Sequence, residues 1–142
     1  MQVATSLAAE LDARLLRLYW LVGRDAGRDL SRTASSVLAT LRDGGPKRIT
    51  ELAASEAIAQ PSVTTLVGRL ERDGLVHRAP DPADARAVLV HLTDAGRERL
   101  AAMRAGRAAV VEERLRALTA EQRERLESAL PALDKLIEGQ DT

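Results

Sequence analysis

The chain has 142 residues, of which 45% are hydrophobic and 30% charged, a composition typical of one globular domain. It contains no cysteine, which excludes disulfides, cysteine-ligated zinc and thiol redox chemistry. Its 21 basic and 21 acidic residues cancel, and aromatic residues make up only 1%. The composition therefore gives no general attraction to nucleic acid, and it lacks the aromatic platform that binds RNA or single-stranded DNA.

The first predicted element is a long amphipathic helix, since Leu7, Leu11 and Leu15 recur at helical spacing. Glu10 and Asp12 come too early for the apolar segment of a secretory signal. No apolar run approaches the ~20 residues of a membrane span. We therefore expect a cytoplasmic protein with no membrane partner.

Three shorter helices are predicted next. Ser31 is a suitable N-cap for the first of them, and the glycines and proline of residues 44–46 end it. Thr50 is placed to cap the second. Residues 60–61 are Gln-Pro, and proline suits the first turn of a third helix, which Gly74 ends.

A β-hairpin is predicted after these helices. Residues 75–78 and 87–92 have the composition of strands. Residues 79–86 between them contain two prolines and two aspartates, which favour turns. The pattern predicts two short strands joined by a protruding loop.

The remainder of the chain is predicted to be helical. Thr93 is placed to cap a long helix, and Thr119 and Gln122 fit a capping box that begins the last helix. Pro131 lies inside that last helix, so we predict a kink or a break near Leu130.

The order of elements indicates the fold. A helix-turn-helix followed by a hairpin predicts a mainly α fold, an α+β winged helix, as one domain over residues 1–142. We place the winged helix-turn-helix lobe at residues 31–96. The long end helices, residues 1–30 and 97–142, have apolar stripes that need a partner, and a second copy of the chain is the economical choice. We therefore predict that they are dimerisation helices.

The helix that begins at residue 60 is the candidate recognition helix. A helix-turn-helix lays its second helix in the DNA major groove, where glutamine can read adenine and arginine can read guanine or bind phosphate. Small hydroxylic side chains allow a close approach. The candidate DNA-binding residues on its outer side are Gln60, Ser62, Thr64, Thr65 and Arg69.

The hairpin supplies a second candidate contact. Arg86 lies in the predicted loop, and an arginine on a protruding loop can enter a narrow minor groove, where the potential is most negative. Asp84, two residues earlier, is better placed to orient Arg86 than to touch DNA. Lys47 and Arg48, before the helix-turn-helix, are candidate phosphate contacts.

Several segments resemble the MarR family of winged-helix transcriptional regulators. The most specific is the hairpin sequence DPADAR at residues 81–86, followed by VLVHLTDAG at residues 88–96. Residues 37–41, 50–53 and 63–76 also match. The resemblance covers residues 31–96, and the flanking helices match in length and order only.

The resemblance implies a homodimer with interlocked end helices that represses nearby genes by binding a palindromic operator in double-stranded DNA. It also implies release from DNA by a small-molecule effector. Some positions depart from the family pattern. Thr65 and Ala85 stand where arginine is common, and Gly68 where an acid is frequent. Glu56 is at a usually apolar position, and Ala57 at a usually glycine position, where a left-handed backbone would cost about 1 kcal/mol.

Alternatives remain for several residues. Tyr19 and Trp20 could line an effector pocket or pack in a dimer interface. His77 and His91 lie on neighbouring predicted strands, but two ligands are too few for a metal site, so no metal or cofactor is expected. No catalytic motif is present, and we predict that the protein is not an enzyme. The alternative function is a winged-helix protein–protein interaction module that has lost DNA binding.

Overall fold

The computed structural model describes residues 6–26 and 30–139, and the predictions for residues 1–5, 27–29 and 140–142 lie outside this part. The described chain forms six helices and three strands, and the mainly helical winged-helix fold is confirmed. The helices are α1 (Leu7–Asp25), α2 (Arg32–Gly44), α3 (Ile49–Glu56), α4 (Gln60–Arg72), α5 (Asp94–Leu115) and α6 (Ala120–Glu138). The strands are β1 (Lys47–Arg48), β2 (Val76–Asp81) and β3 (Asp84–Leu92).

The hairpin is more regular than the sequence predicts. Strand β3 lies between β1 and β2, and both pairings are antiparallel. The predicted loop over residues 79–86 is wrong, because β2 continues to Asp81 and β3 begins at Asp84. Strand β2 can accommodate Pro80 because it is an edge strand, and the ladder is irregular between Pro80 and Asp81.

The core lies between α2, α3, α4 and the inner face of the sheet. Its fully buried side chains come from each of these elements: Val37, Leu38, Leu41, Leu52, Val63, Val67, Leu70, Val76 and Val90. Because α4 contributes a complete apolar face, its orientation relative to the sheet is fixed by packing.

Most of the predicted helix starts are confirmed. The Ser31 hydroxyl accepts the Ala34 N–H at 3.1 Å, and the Thr119 and Gln122 side chains form the expected capping box. The predicted cap at Thr50 is wrong, since α3 begins at Ile49 with Arg48 in the N-cap position. Of the kink or break predicted near Leu130, the break is not observed, because α6 continues through Pro131.

The junction after α3 contains the left-handed backbone expected at Ala57, which has φ 53° and ψ 40°. This conformation costs about 1 kcal/mol for a residue with a Cβ. Glu56 is accommodated because its carboxylate accepts the Ser36 hydroxyl at 3.0 Å and the Thr40 hydroxyl at 3.4 Å. These bonds join the end of α3 to α2.

The chain divides into two compact units. The central unit is Ala26–Gly106, and the terminal unit contains α1, the end of α5 and α6. Within the terminal unit, Arg114 of α5 pairs with Asp25 of α1. Arg114 and then Arg24 lower the pKa of the Asp25 carboxyl. In the described part of the chain, no helix is long and apolar enough to cross a membrane.

Candidate nucleic-acid interface

Helix α4 has one face in the core and the opposite face in solvent. Val63, Val67 and Leu70 are buried, and their spacing turns the other side of the helix outward. The structure leaves every predicted recognition-helix residue exposed: Gln60, Ser62, Thr64, Thr65 and Arg69. The Arg69 guanidinium has no ion pair among the residues that the structure describes.

The two threonines of this face hold their hydroxyls against the helix. Thr64 Oγ1 donates to the Gln60 carbonyl at 3.0 Å, and Thr65 Oγ1 donates to the Pro61 carbonyl at 3.1 Å. Each oxygen still has lone pairs that can accept a hydrogen bond. In this conformation the threonines can therefore accept bonds from base amino groups without breaking their own.

Arg86, which the sequence places in a loop, lies in β3, two residues after that strand begins at Asp84. The Asp84 carboxylate accepts the Arg86 backbone N–H at 3.0 Å, so it shapes the chain at that point and does not pair with the guanidinium. Arg86 is exposed, and its guanidinium has no acidic partner within the described ranges. Among the described residues, Arg86 on the hairpin and Arg69 and Arg72 on α4 thus make no ion pair, and Arg72 Nε donates to the Gly68 carbonyl at 3.4 Å.

The two candidate phosphate contacts have different surroundings. The Arg48 guanidinium bonds to Asp81 through Nε at 3.0 Å and Nη2 at 2.6 Å. The stem of Lys47 instead lies over the end of α2, where a Cβ added to Gly44 would be 3.1 Å from Lys47 Cε. Arg48 is thus engaged inside the protein, whereas the Lys47 ammonium has no ion pair among the described residues.

The Asp81 carboxylate accepts a hydrogen bond from the backbone as well as from Arg48. Its other carboxylate oxygen accepts the Ala83 backbone N–H at 2.9 Å, and the residue is only 9% exposed. The Ala83 N–H and the Arg48 guanidinium hold the pKa of the Asp81 carboxyl below its ordinary value. Asp81 is therefore a charged, partnered group at neutral pH.

Comparison with known proteins identifies the family. A sequence model described as the MarR family matches residues 30–88. The HTH-type transcriptional regulator MT0903.1 of Mycobacterium tuberculosis is 34% identical over 133 residues, which cover 93% of each chain. The chain belongs to the MarR family. The resemblance seen in the sequence is thereby confirmed, and this MarR-family protein is a helix-turn-helix transcriptional regulator and not an enzyme.

Two further comparisons agree. The HTH-type transcriptional repressor NicR of Pseudomonas putida is 42% identical over 66 residues, 46% of this chain and 42% of NicR. A solved structure of a transcriptional regulator protein from Pseudomonas aeruginosa superposes with a TM-score of 0.82 at 30% identity. That superposition covers 94% of this chain and 95% of the other.

One contact in the candidate interface of this MarR-family protein is not predicted by the sequence. The Glu71 carboxylate on α4 accepts the Arg78 backbone N–H at 2.9 Å and lies 3.7 Å from the Arg78 guanidinium. The guanidinium extends over Gly68, where an added Cβ would be 3.4 Å from Nη2. The contact joins α4 to β2, and the sequence does not predict it because the two residues lie in different elements on either side of the turn at Gly74.

The histidines and the aromatic residues singled out in the sequence are the remaining candidates. His77 and His91 face each other across the hairpin with stacked rings, 4.8 Å between centroids. Within the described residues, no group of three or more His, Cys, Asp or Glu is arranged to hold a metal. Tyr19 and Trp20 lie on α1 in the terminal unit. Their rings are arranged edge to face, with 6.4 Å between the ring centroids.

Proposed function

We propose that this regulator is a homodimeric repressor that binds a palindromic operator in double-stranded DNA. The observation that carries the proposal is the placement of Arg69 and Arg86, which are both exposed and both without an acidic partner in the described structure. One lies on the helix that a winged helix-turn-helix inserts into the major groove. The other lies on the hairpin that approaches the adjacent minor groove.

The zero net charge is compatible with DNA binding because two of the nearby acids have cationic partners of their own. Asp81 is paired with Arg48, and Glu71 lies beside Arg78. Neither of these carboxylates is paired with Arg69 or Arg86, whose guanidinium groups remain exposed to an approaching phosphate. We expect modest non-specific affinity that falls steeply with salt.

The operator half of the proposal is tested by selecting duplexes from a randomised library with the purified protein. We expect enrichment of an inverted repeat whose half-site centres are about 10 base pairs apart, because two recognition helices of a dimer enter successive major grooves roughly 34 Å apart. A folded protein that enriches no sequence even at low salt would contradict DNA recognition. That result would favour the alternative, a module that contacts another protein.

The dimer half of the proposal rests on the terminal unit. Helix α6 has no buried residue in the single chain, although Leu126, Leu130 and Ile137 recur on it at helical spacing. A helix of 19 residues with an exposed apolar stripe needs another surface to cover it. A second copy of the chain provides that surface symmetrically.

We expect light scattering to give twice the 15.3 kDa chain mass at micromolar concentration. Replacing Leu130 by Glu puts a charge in the apolar stripe and should produce the monomer mass. The Glu127→Gln variant on the same helix is the control and should remain dimeric. Circular dichroism separates dissociation from unfolding, and a wild-type protein of monomer mass would refute the interlocked helices.

We further propose that a small-molecule effector releases the DNA by favouring a dimer in which the recognition helices no longer match successive grooves. Tyr19 and Trp20 are the aromatic residues available to line its site, and they are 51% and 45% exposed in the single chain. Their exposure is also what packing in a dimer interface requires. Trp20 fluorescence during a ligand screen distinguishes the two roles. A change in the emission on adding a ligand indicates the effector site, and an unchanged emission indicates packing in the dimer interface.

A further inference from the structure

We infer that Arg48 and Asp81 form a clamp that fixes the hairpin against the helix-turn-helix, which makes Arg48 a positioning residue for Arg86. The structural part of this inference concerns the central unit alone. Its consequence for DNA rests on the proposed function. The inference replaces a direct phosphate contact as the role of Arg48.

The clamp joins two parts of the chain that are far apart in sequence. Arg48 is the last residue of β1 and immediately precedes α3, the first helix of the helix-turn-helix. Asp81 is the last residue of β2, where the hairpin turns. The separation is 33 residues, and the bond is two-pronged, with Nε at 3.0 Å and Nη2 at 2.6 Å from Asp81 Oδ2.

The same carboxylate also holds the turn. Asp81 Oδ1 accepts the Ala83 N–H at 2.9 Å, and Asp81 is paired with Asp84 in the ladder. Asp84 in turn accepts the Arg86 N–H. Hydrogen bonds therefore connect the start of α3 to Asp81 and Asp84 to the backbone of Arg86, and the pairing of Asp81 with Asp84 in the ladder joins the two.

The identity of residue 48 supports this role. The N-cap position of a helix favours Ser, Thr, Asp or Asn, whose oxygen accepts a free backbone N–H. Arginine has no acceptor atom, and Arg48 makes no side-chain cap bond to α3. The side chain instead reaches the hairpin, while the Glu51 carboxylate accepts the Arg48 N–H at 2.7 Å.

Backbone pairing alone holds this junction weakly. Strand β1 has only two residues, Lys47 and Arg48, which pair with Val90 and Leu89 of β3. The pairing of β1 with β3 ends at Leu89 and does not reach Arg86. The Arg48 side chain extends the connection from β1 across to the end of β2. The Asp81 side chain is 10% exposed and that of Arg48 is 40% exposed, so the carboxylate end of the pair is shielded from solvent.

The test measures the affinity and the salt dependence of four variants on a fluorescent duplex selected by the wild-type protein. The Arg48→Ala, Arg48→Lys and Asp81→Asn variants should each bind about five- to tenfold more weakly, with the wild-type slope of affinity against salt. Lysine keeps the charge but cannot form the two-pronged bond. The Arg42→Ala variant, which removes an ion pair with Asp43 on α2, is the control and should bind as the wild type does.

A second readout does not involve DNA. Amide hydrogen exchange at Ala83 should be faster in Arg48→Ala than in the wild type and unchanged in Arg42→Ala. If Arg48→Lys binds normally while Arg48→Ala loses about one unit of salt slope per protomer, Arg48 contacts phosphate and the clamp is wrong. Unchanged affinity together with unchanged Ala83 exchange would also overturn it. If the wild type selects no duplex, the proposed function fails, and exchange at Ala83 still decides the clamp.

Discussion

Replacing Gly96 by Ala should lower the free energy of unfolding by about 3 kcal/mol, the upper part of the range for overpacking a core. Gly96 is buried in the first turn of α5. A Cβ there would be 2.5 Å from Leu92 Cδ1 and closer still to the Leu75 carbonyl oxygen. The leucine side chain can rotate, but the carbonyl oxygen belongs to the backbone and cannot.

The Leu75 carbonyl is also held by hydrogen bonding. It accepts the Thr93 N–H at 3.1 Å, and the Thr93 hydroxyl donates to the Gly74 carbonyl at 2.6 Å. The same hydroxyl accepts the Gly96 N–H at 3.0 Å and so caps α5. A shift that made room for a methyl group at residue 96 would strain all of these bonds.

Urea denaturation followed by circular dichroism measures the effect. The Gly106→Ala variant is a matched control in the same helix, because a Cβ there has only the Ala26 carbonyl at 3.8 Å. It should raise the free energy of unfolding by up to about 1 kcal/mol, the difference in helix propensity. Equal stabilities for Gly96→Ala and the wild type would show that the junction of β3 and α5 can relax.

The elements that the sequence predicts well are those specified by local chemistry. Ser31, Thr93 and Thr119 each bond a backbone N–H three residues later, so a short window of sequence contains the whole signal. The exposed face of α4 is predictable for a similar reason. Once Val63 and Val67 are assigned to the core, helical periodicity places Ser62 and Arg69 outside.

The features that the sequence does not predict depend on contacts between distant residues. Strand β1 is too short to show alternation and exists because β3 pairs with it. The true length of the hairpin depends on β2 being an edge strand, which allows Pro80 within it. Thr50 is a chemically suitable cap, but the observed N-cap is two residues earlier, at Arg48, whose N–H is bonded to the Glu51 carboxylate.

In the candidate site, too, locally determined features can be predicted from the sequence and contacts between distant residues cannot. The exposure of Arg86 follows from its place near a turn, and the sequence is sufficient to single it out. The separate roles of Asp81 and Asp84 are not evident from spacing, because Arg48 and Asp81 meet only in the folded sheet. The sequence likewise gives no reason to connect Glu71 with Arg78, which are joined across the end of α4 and the start of β2.

Replacing Arg86 by Ala should weaken binding to the selected operator about ten- to a hundredfold, the range for losing one good arginine contact. It should also lower the slope of log affinity against log salt by about one phosphate equivalent per protomer. The physical reason is that the Arg86 guanidinium is exposed and has no acidic partner in the described structure, so its full charge is available to DNA. Fluorescence anisotropy at several salt concentrations measures both quantities.

Two controls separate a wing contact from a general charge effect. Arg116→Ala removes an exposed arginine of the terminal unit that pairs with Glu113, and it should change neither the affinity nor the slope. Arg86→Lys should keep the salt slope and recover only part of the affinity, since an ammonium is more strongly hydrated than a guanidinium and enters a narrow minor groove at a greater desolvation cost. If Arg86→Ala and the wild type give the same binding curve at every salt concentration, the hairpin does not contact DNA. Recognition would then depend on α4 alone.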